Sequence, residues 1–457
     1  MRALEVPAAL FYGRQRSNNF WSHHADFVDR GHAHIFQEDL RIPPVKIFDK
    51  GKLCEDILEL ILLNCQVPAE GRGDLRAQFA ANRLGVRRLQ SLCAKYGVET
   101  VAAAGDALLN YAERQTRAGI REVPIGMYTF EARFDTEELR NTELLMHVIV
   151  SVTDDEILLD FTDNPPQVRA GLNMVWTALL ATVYYAVKTV VDPSILPNAG
   201  MYRAITVKAM PGSIVNCLPP SAKNWRTQIC QRVVDLVSGA LSQAVPERVI
   251  AACTGSNASI TFSGVDPRNG IYYSYLETIG GGFGARSSND GLDGVQTHVT
   301  NTSNLPVESL EVEYPLRVER YELVPDSGGS GKWRGGMAIR RDVCVLDHVA
   351  AFRGNTSRRL SAPCGLFGGL SGAKSTISID GQPMEDETLG QVLLQPGQVV
   401  STVTAGSGGY GDPRERDRTQ IVRDMEDGII SEGQARQEHG FESEILTRDM
   451  NSESTAT

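Results

Sequence analysis

Asp290, His298 and Asn301 stand within twelve positions of one another, just after the glycine run Gly280-Gly281-Gly282-Phe283-Gly284. A carboxylate that orients an imidazole makes a general base near neutral pH. Asp290 and His298 can meet if the segment bends back, and Asn301 adds a further polar group beside a reacting centre. The competing reading is a structural histidine with an acidic neighbour. The glycines permit close backbone approach, either to another strand or to a ligand. Gly281 and Gly282 are the candidates for contact with substrate.

A second cluster is "HHADFVDRGHAH". It holds four of the eight histidines, His23, His24, His32 and His34, together with Asp26 and Asp29. Imidazole and carboxylate donors together suit zinc, manganese or iron. In an extended segment His23 and His24 point to opposite faces. A solvated His-rich loop is the alternative.

Other chemistry is excluded by pattern. "GGGFG" lacks the G-x-G-x-x-G order of a dinucleotide loop, and no G-x-x-x-x-G-K-[ST] occurs anywhere. There is no G-x-S-x-G elbow. "DSGGSG", Asp326 to Gly331, reads as a turn between strands.

Composition sets the frame. The chain has 457 residues, 42% hydrophobic and 22% charged, which suits a soluble globular protein of two or three domains. A net charge of −11 argues against nucleic acid or an anionic membrane as partner. Eight dispersed cysteines read as reduced thiols in a cytoplasmic protein. The N-terminus has no signal-peptide pattern. The most apolar stretch, Met174 to Val191, reads as a buried core helix and not a membrane span.

These side chains need a scaffold, and its periodicity is legible. Lys52 to about Gly119 is helical in spacing, with Leu75, Phe79, Leu84, Leu89 and Leu92 on one side and Gly97 as a stop. From Gly126 the period falls to two, and Asp154-Asp155 marks a hairpin turn. "TQICQRVVDLVSGALSQAVP" is amphipathic and helical. "SLEVEYPLRVERYELV" alternates as one strand, which would make Glu308 and Glu311 structural. The fold class is α+β: a helical segment in the N-terminal third, then a β-rich, Gly-rich C-terminal half with mixed sheets. The expected boundaries are 1–50, a remnant of an N-terminal sheet with the His-rich loop; 51–125, helical; 126–250, mixed; 251–415, the β-rich core; and 416–457, a C-terminal helix and frayed tail.

Taken together, "HHAD", "EDLRIPPVKIFDKGKL", "GDLRAQFAANRLGVRRL", "PNAGMYRAITVKAMPGSIVN", the block from Glu277 to Asp342 and "GSGGYGDPRERD" resemble the hydantoinase B and 5-oxoprolinase family. The α-type subunits of acetone and acetophenone carboxylases belong to the same group. The resemblance runs through almost the whole chain in unbroken order. It implies a B-type subunit beside an A-type partner that binds ATP and phosphorylates a cyclic amide of the hydantoin or 5-oxoproline kind, which the B-type subunit then hydrolyses. Carboxylation of a ketone and a degenerate, non-catalytic homologue are the alternatives. The resemblance also implies a divalent metal (Mn, Zn or Fe) at His23, His24 and Asp26. Family members carry an H-x-x-D phrase further upstream, so the chain reads as an N-terminally shortened member in a hetero-oligomer.

Overall fold

The computed structural model describes residues 34–38, 40–65, 67–134, 144–384 and 391–441. His23, His24 and Asp26, the sheet-like opening and the tail lie outside them. The first elements are a hairpin of β1 (Phe48–Asp49) and β2 (Lys52–Leu53), then α1 (Glu55–Leu63), α2 (Pro68–Tyr96) and α3 (Val98–Arg121). Pro68 opens α2 where its missing N–H leaves nothing unsatisfied. Gly97, at φ 82°, ends α2 and lets α3 begin.

The helical reading holds, but the apolar stripe of α2 is not a core face. Gly71 is its buried residue, while Leu84 and Leu92 are 46% and 48% exposed. Arg83, Arg87 and Arg88 interrupt the stripe, leaving too little contiguous apolar area to bind another layer. The C-terminal half of α3, by contrast, buries Ala112, Thr116, Gly119 and Ile120.

A four-stranded sheet follows, ordered β3 (Gly126–Phe134), β4 (Leu144–Val152), β5 (Ile157–Asp160) and β6 (Ile205–Lys208). The first three are antiparallel, and β6 joins parallel to β5. Between β5 and β6 runs α4 (Trp176–Val191), and after β6 comes α5 (Arg226–Leu241). Alternate residues of β4 (Met146, Val148, Val150) share one core with Leu179, Val183 and Val187 of α4 and Ile229, Val233 and Val237 of α5. Each such side chain contributes about 1.5–3 kcal/mol on burial. The apolar stretch from Met174 is therefore a core helix.

The second half builds two antiparallel sheets from β7 (Ala258–Val265), β8 (Tyr272–Ile279), β9 (Leu316–Val324), β10 (Ala338–Val345), β11 (Ala350–Asn355), β12 (Thr376–Ile379), β13 (Gln382–Pro383), β14 (Val392–Leu394) and β15 (Val399–Val403). Their orders are β14-β11-β7-β8 and β13-β12-β15-β10-β9. Phe262, Phe352 and Leu394 from one sheet meet Val343, Ile377 and Val400 from the other in a single core.

One expectation fails here. Glu308 and Glu311 lie on a short helix, α6 (Val307–Glu313), not on a strand. Pro306 caps its start and Pro315 prevents its continuation. Leu310 alone is buried, while Val312 is 76% exposed, so the apparent alternation marks no sheet face.

The glycine run is no flexible turn. It belongs to irregular segments, near 280–295, 327–337, 363–373 and 404–411, that lie backbone against backbone. Gly281 exchanges two hydrogen bonds with Val295, both 2.9 Å. The Gly282 N–H donates to Ala405 O at 3.2 Å and its carbonyl accepts from Thr254 N at 2.9 Å. A Cβ on Gly282 would stand 2.1 Å from Gly336 O. Close approach is what the glycines supply, and the approaching group is another stretch of the same chain.

The chain closes on α7 (Arg418–Glu426) and α8 (Glu432–His439), capped by the Asp417 and Ser431 side chains. They share a small core of Ile421, Ile430, Ala435 and Phe441. The molecule is thus α+β, with eight α-helices among the described residues.

Candidate functional site

His298 sits in a tight turn directly over α5. Its backbone is left-handed, φ 49°, a conformation that costs a non-glycine residue about 1–3 kcal/mol and concentrates at functional positions. Gln231 of α5 holds the turn: its Nε2 donates to Thr297 O and Thr300 Oγ1, both at 2.9 Å. Asp235 lies one helical turn further on the same face. It presents Oδ1 to His298 Nε2 at 3.7 Å. The imidazole is 2% exposed, with the Tyr185 and Phe283 rings 6.0 and 5.7 Å away.

Cys253 completes the cluster. It is fully buried in the extended segment between α5 and β7, and the Gly284 N–H donates to its sulfur at 3.3 Å. One ligating atom from each of Asp235, Cys253 and His298 lies within 4.8 Å of the other two. Arg358 braces the acid from behind, its Nη2 donating to Asp235 Oδ2 at 2.6 Å. Arg358 is also left-handed, φ 71°. Burial alone would push the His298 imidazole down; the neighbouring Cys253 and Asp235 side chains outweigh it and hold the pKa well above the ordinary histidine value. His298 Nε2 makes no hydrogen bond of ordinary geometry.

A cleft of about 30 Å³ reaches Asp235, between Arg232, Arg358, Cys364, Phe130 and Leu366. It has room for a water and not for a ring. A larger open cleft of about 590 Å³ lies between α3, the end of α4 and residues 247–249, with the Glu122–Arg248 ion pair (2.6 Å) in its lining. No histidine or cysteine lines it, so it is chemically the poorer of the two.

The sequence-derived residues separate into groups. The carboxylate facing His298 is Asp235, not Asp290. Asp290 accepts from Arg416 at 2.7 and 2.8 Å and from the Arg334 amide at 2.7 Å. Burial raises the Asp290 pKa, but the Arg416 guanidinium more than offsets it and holds the carboxyl below its usual range. Asp293 similarly binds Arg334 (2.8 Å) and the Met337 amide (2.7 Å). Asn301 lies on an exposed loop three residues beyond His298. Gly281 and Gly282 spend their amides on the chain itself, as above.

Asp235, Cys253 and Arg358 were not singled out by spacing, because they come from three distant segments. One signal was available: Asp235 is an acid flanked by Val233, Val234, Leu236 and Val237 on a core helix. A charge there needs a partner.

Comparison with known proteins places this architecture. The Hydantoinase B/oxoprolinase family model matches residues 21–413. An uncharacterised protein of Methanocaldococcus jannaschii is 34% identical over 87% of this chain and 69% of its own length. Caprolactamase subunit beta of Pseudomonas jessenii is 33% identical over 89% of this chain and 72% of its own. The crystal structure of ATP-dependent caprolactamase from that organism superposes with a TM-score of 0.80 at 29% identity, covering 91% of this chain and 74% of the other. The nucleotide-free structure of acetone carboxylase matches in fold, with a TM-score of 0.79 at 17% identity over 90% and 62% of the two chains. With the family model spanning most of the chain and relatives above 30% identity, the protein belongs to the hydantoinase B/oxoprolinase family.

Proposed function

We propose that this chain is the B-type subunit of an ATP-dependent complex that hydrolyses a cyclic amide. The observation that carries the reading is its 33% identity to the beta subunit of caprolactamase across nearly nine-tenths of the chain. An unstrained lactam carbonyl is a poor electrophile. Phosphorylation of its oxygen by an A-type partner gives an imidate-like carbon with a good leaving group, which water can attack once activated and oriented. ATP belongs to the partner in this division of labour, and this sequence carries no P-loop pattern of its own.

In this reading the Asp235–Cys253–His298 cluster marks the region where water is activated, and Asn301 lies at its solvent edge. Asp290 and Asp293 act at a remove: their clamps on Arg416 and Arg334 fix the segment that carries His298. His23, His24 and Asp26 remain the proposed N-terminal divalent-metal ligands, tested by metal content in His23→Ala and His24→Ala. Among the described residues no helix is long and apolar enough to cross a membrane. The subunit names of the relatives support a hetero-oligomer, and the dispersed cysteines a cytoplasmic one, as proposals.

The test of substrate class is a panel assay on the complex with its A-type partner. Caprolactam, hydantoin and 5-oxoproline are offered with ATP, and acetone is offered with ATP and bicarbonate. Ring opening of at least one cyclic amide is expected. Turnover confined to the ketone would replace the reading with carboxylation, and no turnover on any substrate would leave a non-catalytic homologue.

A further inference from the structure

We propose that Asp235, Cys253 and His298 form a zinc site. The donor set is the first argument. A thiolate, an imidazole and a carboxylate together match the mixed S, N, O preference of Zn²⁺, whereas magnesium and calcium avoid sulfur. The three come from α5, from the segment before β7 and from the turn after the glycine run. The fold thus pulls them together across 63 residues of sequence, from Asp235 to His298.

The spacing is the second argument. The 3.7 Å between His298 Nε2 and Asp235 Oδ1 is too long for a hydrogen bond. It is close to the edge of a tetrahedron around zinc, about 3.4 Å for nitrogen and oxygen ligands bound near 2.1 Å. His298 Nε2 is accordingly a buried polar atom with no hydrogen-bond partner, on a side chain 2% exposed and facing Asp235 Oδ1. An orphaned atom of this kind costs about 1–3 kcal/mol unless something satisfies it. A metal ion would.

The surroundings are built as metal sites are built. Arg358 occupies Asp235 Oδ2 at 2.6 Å and leaves Oδ1 turned inward. The Gly284 amide supports the sulfur at 3.3 Å, and Gln231 locks the turn that aims the imidazole. Partners of this sort orient ligands and typically change metal affinity by about 10–100-fold. Three protein ligands leave one position of a tetrahedron for a water or other small donor. Metal binding requires the thiolate and neutral imidazole, so uptake releases protons. This inference does not depend on the cyclic-amide reading, and its readouts use neither ATP nor substrate.

The test uses the full chain, stripped with a chelator and titrated with Zn²⁺ or Co²⁺ alone. Cobalt bound to a thiolate gives a sulfur-to-metal charge-transfer band, which the His23, His24 and Asp26 group cannot produce. The wild-type protein is expected to show that band and zinc to displace it. Cys253→Ala should abolish the band and lower bound metal by one equivalent. His298→Gln and Asp235→Asn should weaken zinc binding about tenfold or more. Cys364→Ser and His23→Ala should leave the band unchanged. A wild-type protein without the band, or a band undiminished in Cys253→Ala, would overturn the site whatever the folding of the other variants.

Discussion

At the scale of single residues, Asp290 and His298 divide labour in a way their spacing conceals. Both follow one glycine run, and both are polar groups in a protein core. Asp290 spends its carboxylate on Arg416, whose side chain is 1% exposed, and on the Arg334 amide. Breaking a buried ion pair by removing one partner costs about 3–5 kcal/mol, because the surviving charge stays buried. Arg416 keeps a second carboxylate, Asp424 at 2.7 Å, and Asp290 is 27% exposed, so Asp290→Asn is expected to lower the free energy of unfolding by less than that, about 1–2 kcal/mol in a denaturant titration. A loss below about 0.5 kcal/mol, the size of an ordinary surface substitution, would show that the clamp is ornamental. The candidate site was half legible. His298 stood out as a histidine in a dense polar stretch, while Cys253 and Asp235 lie 45 and 63 positions upstream (298 − 253 and 298 − 235). Only the folded chain brings them together.

At the scale of elements, the same residue type has opposite meanings in two places. Gly282 lies where a methyl group would strike Gly336 O at 2.1 Å, a backbone atom that cannot swing away. Gly85 lies in the middle of α2 with nothing within 4 Å of a Cβ. Gly282→Ala should abolish soluble expression or lower stability by several kcal/mol, about the cost of overpacking a core. Gly85→Ala should stabilise by about 0.5–1 kcal/mol through helix propensity and a less free unfolded chain. Thermal melts of the two variants check both signs; equal effects would contradict the close-packed reading of the glycine segments. The sequence announced α4, α5 and the β4–β5 hairpin clearly, since their periods of 3.6 and 2 persist over long runs. It misled at α6, where seven residues between two prolines alternate by accident. It misled again on α2, whose leucines keep helical spacing without a partner to bury them.

At the scale of the whole molecule, two buried histidines outside the candidate site tie stability to pH. Burial pushes both His348 and His439 below the ordinary histidine value. His348 lies against Tyr273 Oη at 2.7 Å, and His439 Nδ1 meets Pro413 O at 2.8 Å, where it donates. A depressed folded-state pKa means that the unfolded chain binds more protons. The stabilisation is complete above the unfolded value of about 6.5 and is lost as pH falls through the folded values. His298, whose folded pKa is held up, acts in the opposite sense above about pH 6.5, so the linkage is read from the variant. Between pH 7 and pH 5 the melting temperature of wild type should fall more than that of His439→Gln, and equal slopes for the two proteins would refute it. The family, too, is a property of the whole: its phrases span the chain in order, and the family model covers residues 21–413.

The central claim is that this polypeptide completes a reaction whose energy enters through another subunit. The most direct measurement compares ATP consumption and lactam opening for the purified chain, for the A-type partner and for the two mixed. The account predicts no ATP turnover by this chain alone, no ring opening by either protein alone, and coupled ATP cleavage and ring opening in the mixture. Ring opening with ATP consumption by the isolated chain would contradict it outright.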